Sequence, residues 1–111
     1  MGTPFARALG LLLEAKRKER EFGQKDMGLC QSRLSRIETG ETPVGLEEFL
    51  GLCHRLGVIN PVEVLEKVEE AQKVFSETLT RLGEKPEALN DRQVEGLLVF
   101  SLQIVLKKGE H

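Results

Sequence analysis

The stretch Gly28-Leu29-Cys30-Gln31-Ser32-Arg33-Leu34-Ser35-Arg36-Ile37-Glu38-Thr39-Gly40 decides how the rest of the chain is read. Leu34 and Ile37 stand three apart, so a helical turn places them on one face. Gln31, Ser32, Arg33, Ser35 and Arg36 are left for the outer side. Such side chains suit the edges of base pairs: Arg can bond both acceptors of guanine, Gln can pair with adenine, and Ser can donate or accept. Gly40 is placed to stop the helix in the left-handed conformation, which glycine adopts at little cost. Taken alone, the pattern is also that of an ordinary amphipathic surface helix.

The run Gln-Ser-Arg-Leu-Ser-Arg-Ile-Glu-Thr-Gly at 31–40 resembles the recognition helix of the lambda-repressor-like (Xre-type) helix-turn-helix family. That family's common form is Ser-x-x-x-(Ile/Leu)-Ser-(Arg/Lys)-(Ile/Leu)-Glu-x-Gly. The resemblance reaches Gln24 upstream and Leu56-Gly57-Val58 downstream, so it covers the chain to about residue 65. It implies an all-α fold with a lambda-repressor-like helix-turn-helix bundle at 1–60; the remainder, 61–111, reads from its own apolar pattern as a helical dimerisation tail. The resemblance further implies that Gln31, Ser32 and Arg36 face bases and that Arg33 reaches a base or a phosphate. Gln24, Ser35 and Thr39 would bond the DNA backbone, with Lys25 beside them. Arg17 stands where the family commonly has an Arg paired with the Glu of Ile-Glu-x-Gly, here Glu38; that pair would brace the first helix against the recognition helix.

The chain departs from the family pattern at three places. Gly23 replaces the usual Ser or Thr, so a side-chain cap is missing. The span from Gln24 to Gln31 is short by roughly four residues, about one helical turn. The second helix, expected over 22–28, must therefore be stubby, or the turn after it rebuilt. Glu41 occupies a loop where relatives often carry a basic residue against a phosphate.

Charge is distributed unevenly along the chain. Residues 1–40 hold eight Lys/Arg against five Asp/Glu, residues 41–82 hold four against eight, and residues 83–111 hold four against five. The positive part contains the proposed reading helix, as a phosphate-facing surface requires. With no Trp or Tyr and five Phe, an aromatic platform for single strands is not expected. Cys30 and Cys53 form no zinc spacing and no Cys-x-x-Cys pair. Both are expected as free thiols in a reducing cytoplasm, and no metal or cofactor is implied. Met1-Gly2-Thr3-Pro4 lacks the basic start of a signal peptide, and nothing approaches membrane-spanning length.

The remaining elements follow from punctuation and period. Thr3 and Pro4 begin a first helix running to about Glu21, with Phe5, Leu9, Leu12 and Leu13 as its apolar stripe. A helix from about Leu46 to Leu56 carries apolar residues at 46, 49, 50, 53 and 56 and ends at Gly57. Asn60-Pro61 starts the next helix, where Leu65, Val68, Gln72, Phe75, Leu79 and Leu82 form a coiled-coil-like seam. Asn90 and Gln93 make a capping box for a last helix that ends at Lys107-Lys108-Gly109. Within it, 97–106 is apolar nearly all round, although its β-branched residues and the Ser101/Gln103 alternation also fit a strand. A helix of that kind wants cover on every side. A second copy supplies it in this reading, with Leu65, Val68, Phe75, Leu79, Leu97, Leu98, Phe100, Ile104 and Val105 at the dimer interface.

These observations point to a sequence-specific transcriptional regulator, a repressor, that binds double-stranded DNA at a pseudo-palindrome as a homodimer. The other reading is an antitoxin or inhibitor that keeps the fold and binds a protein partner. An enzyme is not expected: the sequence has no Gly-rich phosphate loop, no metal-ligand spacing and no nucleophile with a plausible base. Glu47-Glu48 and Glu69-Glu70 read as solvated helix faces.

Overall fold

Thr3 opens the first helix, its Oγ1 accepting from the backbone N–H of Ala6 at 3.1 Å, with Pro4 in the first turn. The computed structural model describes residues 3–108; Gly109, the expected stop of the last helix, lies outside the described residues. All regular structure among them is helical: α1 (Pro4–Glu19), α2 (Gln31–Glu38), α3 (Leu46–Arg55), α4 (Pro61–Leu82) and α5 (Asp91–Lys108), with 3-10 turns at Gln24–Met27 and Pro86–Ala88. No described helix is long and apolar enough to cross a membrane. The chain is an all-α bundle.

α1 is the element that α2, α4 and α5 share. It packs against α2, α4 and α5, and α4 in turn packs against α5. It ends two residues earlier than the sequence suggests. Glu21 takes a left-handed φ of 59°, while the N–H groups of Glu21 and Phe22 close back on the carbonyls of Lys18 and Arg17. That hydrogen-bond pattern terminates a helix.

A single apolar cluster runs from Ala8 through Leu34, Phe49 and Val68 to Val105. Residues 1–60 and 61–111 therefore contribute to one core. The buried stripe of α3 is Phe49, Leu52, Cys53 and Leu56, which leaves Leu46 and Leu50 outside at 72% and 47% exposure. Both sets are spaced for one helical face, and period alone does not choose between them. On α4 the buried line is Val64, Val68, Ala71, Phe75 and Leu79; Leu82 faces solvent.

The tail corrects the expected dimer interface. Val68, Phe75, Leu79, Leu98 and Val105 are buried inside this one chain, where α4 and α5 cover each other and α1. They cannot also be the contact surface for a second copy. Leu65, Leu97 and Ile104 are half-buried at the edge of the same core, and Phe100 is 49% exposed. The reason is geometric. α4 and α5 run back along α1 as a helical hairpin, so the apolar side of α5 finds cover within the fold. Asn90 and Gln93 cap α5 reciprocally, each backbone N–H reaching the other side chain at 2.9 Å.

Candidate nucleic-acid interface

Three residues of α1, Arg7, Gly10 and Arg17, hold the C-terminal end of α2. A Cβ at Gly10 would lie 2.6 Å from the carbonyl oxygen of Glu38 and closer still to that of Ile37, so only glycine lets the two backbones meet here. Gly40 ends α2 with φ +77°, and its α-carbon sits over the stem of Arg7. Arg7 is itself nearly buried. Its Nη2 donates to the carbonyl of Asp91 at 3.2 Å, tying the start of α5 to α1.

Arg17 and Glu38 are joined bidentately, Nε to Oε2 at 2.7 Å and Nη2 to Oε1 at 3.1 Å. Nη1 of Arg17 also donates to the carbonyl of Phe22 at 2.8 Å, which fixes the chain as it leaves α1. Hydrogen bonding to Glu38 holds the Arg17 pKa above its ordinary value. Gln24 completes the group, its Nε2 donating to Glu38 Oε1 at 2.9 Å. The buried carboxylate thus accepts three hydrogen bonds, which is what makes its burial tolerable. Gln24, assigned to the DNA backbone by resemblance, spends one amide N–H on this group and keeps the other.

The shortened segment is one 3-10 turn, Gln24–Met27. With no side chain at Gly23, Asp26 caps from the other direction, its Oδ2 accepting from the Gly23 N–H at 2.8 Å. Met27 drops into the core. The chain then turns through Gly28, and α2 begins after Cys30.

α2 buries Leu34, Ile37 and Glu38 and turns the remaining residues outward. Gln31, Ser32, Arg36 and Thr39 are exposed, Arg33 and Ser35 half-buried, and Lys25 is exposed on the preceding turn. Among the described residues the side chains of Gln31, Arg36 and Lys25 make no hydrogen bond. Thr39 donates to the carbonyl of Arg36 at 3.2 Å. Ser32 Oγ lies 3.0 Å from Cys30 Sγ. That contact, with the backbone N–H groups of Arg33 and Ser32, lowers the Cys30 thiol pKa.

Arg33 is the exception on this face. Its Nε and Nη2 hold Glu48 of α3 at 2.9 and 2.6 Å, and Nη2 also reaches the carbonyl of Pro43 at 3.3 Å. Glu48 is not the solvated residue that the Glu47-Glu48 pair suggests. It accepts from the Gly45 N–H at 2.9 Å and so caps α3. The Arg33 guanidinium, helped by that N–H, pulls its carboxyl down to about 2.

The sequence pattern does not single out Arg7 or Gly10, and it reads Glu48 as solvated. Signals for them were present: Arg7, Gly10 and Arg17 lie on one side of a helix at 100° per residue, and Glu48 is an acid three residues past a helix start. No family model, no curated protein and no solved structure matches the chain.

Proposed function

We propose that the chain is a sequence-specific double-stranded DNA-binding regulator of the helix-turn-helix kind, a repressor acting as a homodimer on a pseudo-palindromic operator. One observation carries the reading. α2 presents Gln31, Ser32 and Arg36 outward, Gln31 and Arg36 without side-chain partners among the described residues, while its inner side is fixed to α1 by Gly10 and the Arg17–Glu38 pair. A rigid helix with free polar side chains is what direct base readout asks for, since contacts to bases specify only when phosphate contacts and packing hold the register. Lys25, Ser35 and Thr39 flank this face and supply backbone contacts in the reading.

A second reading, an antitoxin or inhibitor that binds a protein, has its own support. Leu46 and Leu50 lie one turn apart on the outside of α3, and Arg33, one of the cations nearest that surface, is neutralised by Glu48. Selection of bound DNA from a random library separates the two. In the DNA reading a motif emerges, Arg36→Ala costs roughly 1–3 kcal/mol on it and relaxes one base pair, and Lys25→Ala weakens all sequences about equally. No enriched motif would favour the protein-binding reading; a motif indifferent to Arg36 would mean that α2 is not the reading helix.

A further inference from the structure

Ile59 is 99% exposed. It lies between Val58, which packs on the core, and Asn60, whose side chain caps α4. A lone exposed apolar residue is ordinary, but this one stands on the rim of a hole. A cleft of about 320 Å³ is lined by Ile59 together with Arg20, Leu56 and Gly57. It continues into one of about 410 Å³ between α1, α4 and the end of α5, with Leu12, Val64 and Leu106 on its apolar side. The two share Lys16, Glu19, Val58 and Glu63.

The charges around this cleft are of both signs. Lys16, Arg20 and Lys67 are positive, Glu19 and Glu63 negative. Among the described residues none of the five forms an ion pair or a side-chain hydrogen bond; Arg20 only overlies the Phe22 ring.

We propose that a second copy of this chain covers the cleft, each copy's Ile59 entering the apolar part of the other's. A two-fold interface uses the same patch twice, so the patch must be self-complementary. Here a projecting side chain and a cavity large enough for it lie side by side. Unpaired cations and anions line the same cleft, so a two-fold partner can match each sign with its opposite. A polyanion would be met by one sign only.

The position on α1 also fits. Arg7, Gly10 and Arg17, which hold α2, and Leu12, Ala15, Lys16 and Glu19, which line the cleft, lie on opposite sides of the helix at 100° per residue. Pairing through the cleft therefore directs the two α2 helices away from each other. With packed helices 8–10 Å apart, the three steps from α2 through both α1 helices to the partner's α2 come to roughly 24–30 Å, somewhat under one DNA turn of about 34–36 Å. That spacing argument rests on the DNA-binding reading; the interface does not.

Sedimentation equilibrium of the full chain without DNA, from about 1 to 100 μM, tests the interface, with circular dichroism confirming that each variant is folded. The wild type should sediment as a dimer. Ile59→Asp and Glu63→Lys should each raise the dissociation constant at least about tenfold, whereas Phe100→Asp, on the outer side of α5, should leave it within about twofold. A wild-type monomer throughout this range overturns the proposal, as does a dimer that Phe100→Asp breaks and Ile59→Asp spares. DNA is absent, so failure of the DNA-binding reading leaves this result unchanged.

Discussion

Arg17 and Glu38, 21 residues apart in sequence, meet through two parallel hydrogen bonds with both side chains nearly out of solvent. The pair joins the end of α1 to the end of α2. Removing one partner strands the other charge in the interior. Arg17→Ala or Glu38→Ala should therefore cost about 3–5 kcal/mol in urea unfolding. The double replacement Arg17→Met with Glu38→Leu should recover much of that loss, because neither charge is then buried. Single variants that lose less than about 1 kcal/mol would mean that the pair behaves as a surface ion pair.

Gly10 and Gly51 make a paired test of close approach. Alanine in a helix interior normally gains about 1 kcal/mol over glycine. At Gly51 a Cβ meets nothing within 4 Å, so Gly51→Ala should stabilise by roughly 0.5–1 kcal/mol. At Gly10 the same methyl would press on the backbone carbonyls of Ile37 and Glu38, and α2 must shift to admit it. Gly10→Ala should cost roughly 1–3 kcal/mol instead. Thermal melts of the two variants should move in opposite directions; a rise for both would mean that α2 is free to slide.

The two thiols should differ in reactivity. Cys30 is exposed and Cys53 buried. Contacts with Ser32 and two backbone N–H groups favour the Cys30 thiolate, whereas burial pushes the Cys53 thiol up. Near neutral pH, iodoacetamide should label Cys30 in the folded protein and reach Cys53 only on unfolding. If DNA lies along α2, a bound operator should slow the labelling of Cys30. Equal labelling of both thiols would contradict the packing of α3.

How much of this was legible in the sequence depended on range. Caps and stops were legible because they are local: Thr3, Asn60, Asn90 with Gln93, Gly40 and Gly57 all act within a few residues. The Arg17–Glu38 contact was reachable through the family resemblance. The cover of α5 was not. Val94, Leu98, Leu102 and Val105 on one side, and Val99 and Phe100 on another, read as one apolar run until the turn near Pro86 directs α5 back along α4 and α1. The stripe of α3 is ambiguous for a related reason: two helical registers of apolar residues are available, and tertiary packing selects one. Arg33 reads as a DNA contact because nothing local reveals a carboxylate fifteen residues away, on another helix, that holds it.

That carboxylate sets the last prediction. Glu48 has its carboxyl at about 2 against an ordinary 4.5, chiefly through the Arg33 guanidinium and then the Gly45 N–H. Its folded pKa is depressed, so between these values the unfolded chain binds the proton and the folded chain does not. The pair's contribution to stability is therefore full above about pH 4.5 and is lost as the pH falls toward about 2. The stability gap between wild type and Glu48→Gln should be constant near neutral pH and close through that acid window. Carbon-detected titration of the Glu48 carboxyl reads the same shift directly, and a midpoint near the ordinary value would show that the pair is not kept in solution. Glu48→Gln retains an acceptor for the Gly45 N–H but removes the charge that holds Arg33. In the DNA-binding reading the freed guanidinium can then reach a phosphate. At neutral pH the salt dependence of binding should steepen by about one counterion, with little change in the preferred sequence. A variant with an altered motif and an unchanged salt slope would instead place Arg33 on a base.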